Sequence, residues 1–266
     1  MYEFTYHRPA SIADAVRLLE KSQSAKIMSG GQTLIPTLKQ RLAQPTDIID
    51  LSGLKNSGIA VAGNTLTIKA GTCHADVASS AEVANAVPAL AALAGWIGDP
   101  QVRHKGTLGG SIANNDPAAD YPAAVVALNA KVVTTSRSIE ADRFFTGMFD
   151  TALGPNEIVT AVEFAVPRRA GYQKFRNPAS RYAMVGVFVA DHGSGEIRVA
   201  VTGAGPCVFR QRAMEAALAQ SFTPEAVKGI ATDPGTLNSD IHASADYRAH
   251  LIGVMARRAV QAALAG

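Results

Sequence analysis

The sequence predicts an α+β protein assembled from more than one substructure, and three observations lead there. A β-loop-α-β unit fills the first fifty residues, and a glycine hairpin followed by alanine-rich helical stretches comes next. The last third then changes texture, with three strand-like runs and a long helix with a continuous apolar face. At 266 residues the chain is long enough to bury a large core.

Residues 2–7 alternate loosely, as an edge strand does. Ser11-Ile12-Ala13-Asp14 fits a capping-box pattern, and Ile12, Val16 and Leu19 share one face of a helix ending near Lys21. Residues 25–28 read as a short buried strand that runs into Ser29-Gly30-Gly31-Gln32-Thr33. A helix follows with Leu34, Leu38 and Leu42 in register, and Pro36 falls in its first turn, where a missing N–H costs nothing. Residues 47–51 are the next strand. A Gly-Gly loop opening at a helix N-terminus offers free N–H groups and the positive end of the helix dipole, a ready anion site. A simple tight turn is the alternative reading.

Residues 59–61 and 65–70 flank Gly63-Asn64 as a hairpin. Residues 76–84 read as helical, and Pro88 opens another helix with Leu90, Leu93 and Ile97 facing inward. Trp96, the one tryptophan, suits a core and a ligand wall equally. Residues 98–122 are too polar and glycine-rich for a core element and read as a loop. Glycine there lets the main chain approach a ligand closely, and successive N–H groups suit phosphate oxygens. Residues 123–128 form a buried helix, 131–135 and 138–140 a pair of strands, and 156–166 an alternating strand. Residues 167–171 mark a boundary. Beyond it, strands at 172–176, 185–190 and 197–202 form a small antiparallel sheet, with helices at 211–219, 224–231 and 245–264. Leu251, Val254, Met255, Ala259 and Ala262 give the last helix its apolar face.

Composition excludes several functions. The net charge of +3 is spread along the chain without a basic stripe, which argues against nucleic-acid binding. No stretch of 18 apolar residues and no N-terminal leader occurs, so a cytoplasmic protein without a membrane span is expected. Cys73 and Cys207 are far apart and cannot hold an iron–sulfur cluster unaided. The six histidines are scattered, with none at the i, i+4 spacing of a helical metal site, so no metal is expected on this chain. The G-x-G-x-x-G dinucleotide fingerprint, the Walker A loop and the G-x-S-x-G elbow are all absent.

Two anion-cradling turns, at Gly30-Gly31 and Gly109-Gly110, suit a pyrophosphate lying between two substructures. Ile27 and Met28 beside one, and Trp96 and Ile97 beside the other, suit an extended aromatic ligand. FAD meets both demands, as would another dinucleotide.

Lys26-Ile27-Met28-Ser29-Gly30-Gly31-Gln32-Thr33-Leu34 resembles the first FAD motif of a known family, usually Ala-Gly-Gly-His-Ser or Ala-Gly-Gly-Gln-Ser after a short strand. Gln101-Val102-Arg103-His104-Lys105-Gly106-Thr107-Leu108-Gly109-Gly110-Ser111-Ile112-Ala113 resembles its second motif, built around Thr-Ile-Gly-Gly. Asp116-Pro117-Ala118-Ala119-Asp120-Tyr121-Pro122 continues the match. The family is the FAD-binding (medium) subunit of molybdenum hydroxylases, of the carbon monoxide dehydrogenase and xanthine dehydrogenase type. Resemblance covers nearly the full chain, and the second motif is the specific one.

The resemblance implies a two-subdomain FAD-binding fold of the vanillyl-alcohol-oxidase (PCMH) type, followed by a small α/β C-terminal domain with a three-stranded antiparallel sheet and helices. The corresponding divisions are 1–55, 56–171 and 172–266. It implies an electron-transfer role, from a [2Fe–2S] small subunit through noncovalent FAD to an external acceptor. A molybdopterin-binding large subunit performs the hydroxylation, and the assembly is a dimer of heterotrimers. Carried over by position, residues 26–34 wrap the FAD, while Thr107, Gly109, Gly110 and Ser111 supply the facing loop. Ile97, Ala113 and Val159 line the flavin or adenosine part. Asp120 accepts a ligand hydrogen bond or orders its own loop. Lys174 lies near the flavin or in an exposed salt bridge, and Tyr182 covers a flavin face or edges a domain. Ser29 and Thr33 depart mildly from the usual Ala and Ser. No histidine or cysteine is placed for covalent flavin attachment, and no side chain is nominated as a general acid or base. A freestanding flavoprotein oxidoreductase of the same fold is the alternative, and a scaffold without flavin a third reading that the two intact glycine loops oppose.

Overall fold

The computed structural model describes residues 1–266. In the first unit, β1 (Thr5–His7), β2 (Ala25–Met28) and β3 (Asp47–Asp50) form a parallel sheet of order β1-β3-β2. Ser11 caps α1 (Ile12–Lys21) by accepting the Asp14 N–H at 3.1 Å. The helix lays Ala15 and Leu19 on Ile49 of the sheet and on Ile158 from farther along the chain. β1 is an edge strand, as its loose alternation indicates. β2 is the other edge and is half-buried rather than buried, because Ile27 and Met28 face a cavity. α2 (Leu34–Lys39) ends before Leu42: Arg41 is left-handed at φ 59°, and Leu42 is 74% exposed.

β4 (Ile59–Ala62) and β5 (Thr65–Lys69) make the expected hairpin, with Gly63 at φ 56° in its turn. They join β6 (Lys131–Thr134), β7 (Ser138–Glu140) and, in the middle, β10 (Val159–Ala165) in an antiparallel sheet of order β4-β5-β10-β6-β7. Residues 76–84 are not one helix. α3 (His74–Ser79) stops at Ser80, whose hydroxyl then caps α4 (Ala81–Ala86) by accepting the Val83 N–H at 3.2 Å. α5 (Pro88–Gly95) follows with Leu90 and Leu93 fully buried.

The stretch read as a loop, 98–122, is mostly helical: α6 (Pro100–Arg103) and α7 (Leu108–Asn114) lie within it, and α8 (Tyr121–Ala127) starts inside it. Asp99 caps α6 and Thr107 caps α7. α8 is buried at every position. α9 (Ala141–Phe144) leads into a small hairpin, β8 (Phe145–Gly147) and β9 (Asp150–Thr151).

The C-terminal unit is an antiparallel sheet of β11 (Arg169–Arg176), β12 (Ala183–Asp191) and β13 (Ile197–Thr202), to which β14 (Phe209–Arg210) adds a two-residue fourth strand. Residues 169–171 are therefore already strand. One face of this sheet contributes Tyr172, Phe188, Ala190 and Ala200 to the core around α8, so the units share buried contacts. The other face packs on α10 (Arg212–Gln220) and α11 (Ala245–Ala265). Residues 224–231 form only a 3-10 turn, Pro224–Val227, before Gly229 turns the chain at φ 80°. α11 buries Leu251, Met255 and Ala259, flanked by Ile252, Ala256 and Val260, whereas Val254 and Ala262 are half-buried. Its approach to β11 is so close that a Cβ on Gly171 would lie 2.0 Å from the Ala259 carbonyl oxygen.

Candidate functional site

The site begins where β2 ends. The chain turns through residues 29–33 into α2, and Gly31 takes φ 71°, a conformation that favours glycine. The main-chain N–H groups from Ser29 to Leu34 find no acceptor within the chain. They form a run of donors beside the first turn of a helix, an arrangement that receives an anion.

The second motif faces them. The Gly109 N–H donates to the Ala70 carbonyl at 2.8 Å and the Leu108 N–H to the Thr72 carbonyl at 3.0 Å, pinning α7 to the end of β5. A Cβ on Gly109 would lie 2.5 Å from that of Ala70, and one on Gly106 would lie 2.5 Å from His74 Nε2. These glycines therefore serve close packing within the chain. The two motifs also touch: a Cβ on Gly30 would sit 1.9 Å from the Lys105 carbonyl oxygen, and the Thr107 hydroxyl donates to Ser29 Oγ at 3.0 Å.

Between them lies a cavity of about 580 Å³, a size typical of cofactor sites. Lys26, Ile27, Met28, Ser29, Gly30, Gly31, Gln32, Thr33 and Leu34 all line it. Ile97, Thr107, Gly109, Gly110, Ser111, Ala113, Asp120, Val159 and Tyr182 complete the set brought together from the sequence reading. Lys174 does not line it. Neither is Lys174 in an exposed salt bridge, because its side chain is 1% exposed.

A family model described as the FAD binding domain in molybdopterin dehydrogenase matches residues 2–168, and one described as the CO dehydrogenase flavoprotein C-terminal domain matches residues 170–263. The chain belongs to this flavin-subunit family. The carbon monoxide dehydrogenase medium chain of Hydrogenophaga pseudoflava is 36% identical, over 98% of this chain and 97% of the relative. The nicotine 6-hydroxylase medium subunit of Paenarthrobacter nicotinovorans is 36% identical, over 96% and 95%. A solved structure of reconstituted CO dehydrogenase from Oligotropha carboxidovorans superposes with a TM-score of 0.91 at 32% identity, covering 99% of this chain and 98% of that one. The protein is thus an FAD-binding oxidoreductase subunit of the molybdenum hydroxylase type.

The donor set of this flavin subunit fits the dinucleotide. The N–H run at 29–34 supplies free donors for a pyrophosphate on one side. On the other, the first-turn N–H groups of α7 are taken by Thr72, Ala70 and Thr107, and the Ser111 hydroxyl is the donor left at the cavity wall. Gly110 lets the Thr107 hydroxyl sit close over the start of α7, since a Cβ there would lie 2.9 Å from Thr107 Oγ1. No helix is long and apolar enough to cross a membrane, and no cluster of metal-ligating side chains is present.

The buried acidic groups of the wall, Asp120 and Glu157, are held by neighbours. Asp120 Oδ1 accepts the Tyr172 hydroxyl at 2.5 Å and lies 2.9 Å from Lys174 Nζ, which also donates to the Trp96 carbonyl at 2.9 Å. Burial pushes the Asp120 carboxyl up, opposed by Lys174 and Tyr172. Asp120 thus orders the wall, and Lys174 reaches the cavity only through it. Trp96 is 38% exposed and its ring packs 6.1 Å from that of Tyr172, at the junction of two units rather than in a core. Glu157 is brought down to about 2, chiefly by Arg137, with further hydrogen bonds from Gly154, Thr134 and Ser136.

Glu157, His74, Asn56, Gly71 and Arg181 line the cavity and were not singled out in the sequence. His74 is the one histidine on the cavity wall. It is buried beneath Gly106, with burial and then Arg103 pushing its imidazole down to about 4. Gly71 left a readable signal, since it ends a strand. A Cβ there would meet the Asn56 carbonyl oxygen at 2.6 Å.

Proposed function

We propose that this chain is the electron-transfer station of a heteromeric molybdenum hydroxylase, receiving electrons from a [2Fe–2S] subunit and delivering them to an external acceptor. The observation that carries this is the free N–H run at 29–34, which faces α7 across one cavity whose buried acidic groups, Asp120 and Glu157, are already paired. Such a wall binds and orients a cofactor without nominating an acid–base pair for a substrate of its own. FAD supplies the redox chemistry, accepting electrons singly and releasing them in pairs. Residues 26–34 with Thr107, Gly109, Gly110 and Ser111 would hold its pyrophosphate noncovalently. Ile97, Ala113 and Val159 would border its rings, and Tyr182, 49% exposed at the rim, would cover one face.

Two relatives at the same 36% identity are named for carbon monoxide and for nicotine, which supports placing substrate choice on a molybdopterin-binding large subunit. We further propose a dimer of heterotrimers, and a cytoplasmic location consistent with the free thiols Cys73 and Cys207. Division at 55/56 and 171/172 is supported by the three main sheets, each lying almost wholly within one part.

The test is purification from the native source. Molybdenum and iron–sulfur subunits should accompany a yellow chain with a flavin spectrum. A lone chain that oxidises a substrate at full rate would overturn the proposal.

A further inference from the structure

Thr107 and Ser29 stand 78 positions apart, and their hydroxyl oxygens lie 3.0 Å apart across the join between the two motifs. Thr107 Oγ1 also accepts the Gly110 N–H at 3.1 Å. Thr107 is 6% exposed, whereas Ser29 is half-buried on the cavity wall. If Ser29 donated to Thr107, the buried Thr107 hydrogen would be left without an acceptor, which is the costlier arrangement. The favourable relay therefore runs from Gly110 N–H to Thr107, and from the Thr107 hydroxyl to Ser29. Its last hydrogen, on Ser29 Oγ, has no acceptor within the chain and belongs to the residue that heads the N–H run at 29–34.

We propose that Ser29 is a pyrophosphate-binding residue whose hydroxyl hydrogen is aimed by Thr107 at an anionic oxygen of the bound dinucleotide. The inference rests on FAD occupying the cavity. In the resembling family an alanine usually stands at this position, so the hydroxyl is an addition to the main-chain cradle. Its geometry depends on Gly110, where a Cβ would lie 2.9 Å from Thr107 Oγ1 and 3.9 Å from Ser29 Cβ.

The test uses the full chain stripped of flavin, with FAD and riboflavin as probes, because riboflavin lacks the pyrophosphate. Ser29→Ala should weaken FAD binding about 10- to 100-fold, the range for a hydrogen bond to a charged group. Riboflavin affinity should not change, while the melting temperature of the flavin-free chain should fall, because the buried Thr107 hydroxyl loses its acceptor. Thr107→Ser keeps the relay and should bind FAD as wild type does. Thr107→Val should weaken FAD, and adding Ser29→Ala to it should cost less than the single change does. Unchanged FAD affinity in Ser29→Ala overturns the proposal. Equal losses for FAD and riboflavin also overturn it, because Ser29 would then only staple the two motifs together. Failure of the wild-type chain to take up FAD would instead overturn the functional reading, and shows before any variant is made.

Discussion

The ammonium of Lys174, on the first strand of the C-terminal sheet, lies 2.9 Å from the carboxylate of Asp120 at the start of α8. Both side chains are almost wholly shielded from water, at 1% and 4% exposure. Removing one member of such a pair leaves an uncompensated buried charge. Lys174→Met should therefore cost about 3–5 kcal/mol in chemical denaturation. Lys174→Met combined with Asp120→Asn should recover much of that loss, and a double variant no better than the single one would sink the account.

The two glycine motifs should fail for different physical reasons and give the same result. Valine at Gly109 collides with Ala70, while valine at Gly31 meets Ile35 and must also adopt φ 71°. Gly109→Val and Gly31→Val should each abolish FAD uptake, read from flavin absorbance. The C-terminal unit should stay folded and resist limited proteolysis. Full flavin occupancy in either variant would break the two-motif model.

His74 gives the site a pH dependence. Its folded value of about 4 lies below the ordinary 6.5, so the unfolded chain takes up the proton first as pH falls. Stability is then fully present above 6.5 and declines through the window down to about 4. The loss between pH 7 and pH 5 should approach about 2 kcal/mol. Denaturation curves at the two pH values would show it, and His74→Leu should remove this part of the slope.

Asn115 ends α7 in the left-handed region, at φ 43°, and its side-chain amide donates to the Gly147 and Asp150 carbonyls at 2.8 and 2.7 Å. Asn115→Ala should lose both bonds and strain the turn, costing about 3 kcal/mol. Asn115→Gly keeps the conformation and should cost less. Hydrogen exchange across residues 145–151 should rise in both variants.

Much of this was legible in the sequence, and the failures have physical causes. The first unit, the hairpin and the C-terminal strands announce themselves through alternation and turn chemistry. Residues 98–122 hide their helices because part of the packing face of this stretch is glycine. Gly106 and Gly109 meet His74 and Ala70 where a helix would normally present apolar side chains, so the apolar face of α7 is marked only by Leu108 and Ile112. Two signals were present: Asp99 before Pro100, and Thr107 three residues before Gly110. Leu42 continued a helical period in sequence, yet the left-handed Arg41 ends the run before it. Lys174 could not be placed from sequence, since its partner Asp120 is 54 positions away. Nor could His74, whose burial depends on a glycine 32 positions later.

The contact between Gly30 and the Lys105 carbonyl leaves no room for even a methyl group. Two surfaces cut to that tolerance are a matched set, like key and ward, and recombination would separate them. A chimaera with residues 1–55 from one relative and the remainder from another would join a loop to a foreign counterpart. Wherever the donor lacks glycine at this position, the hybrid would carry both motifs in its sequence and no cradle in its fold.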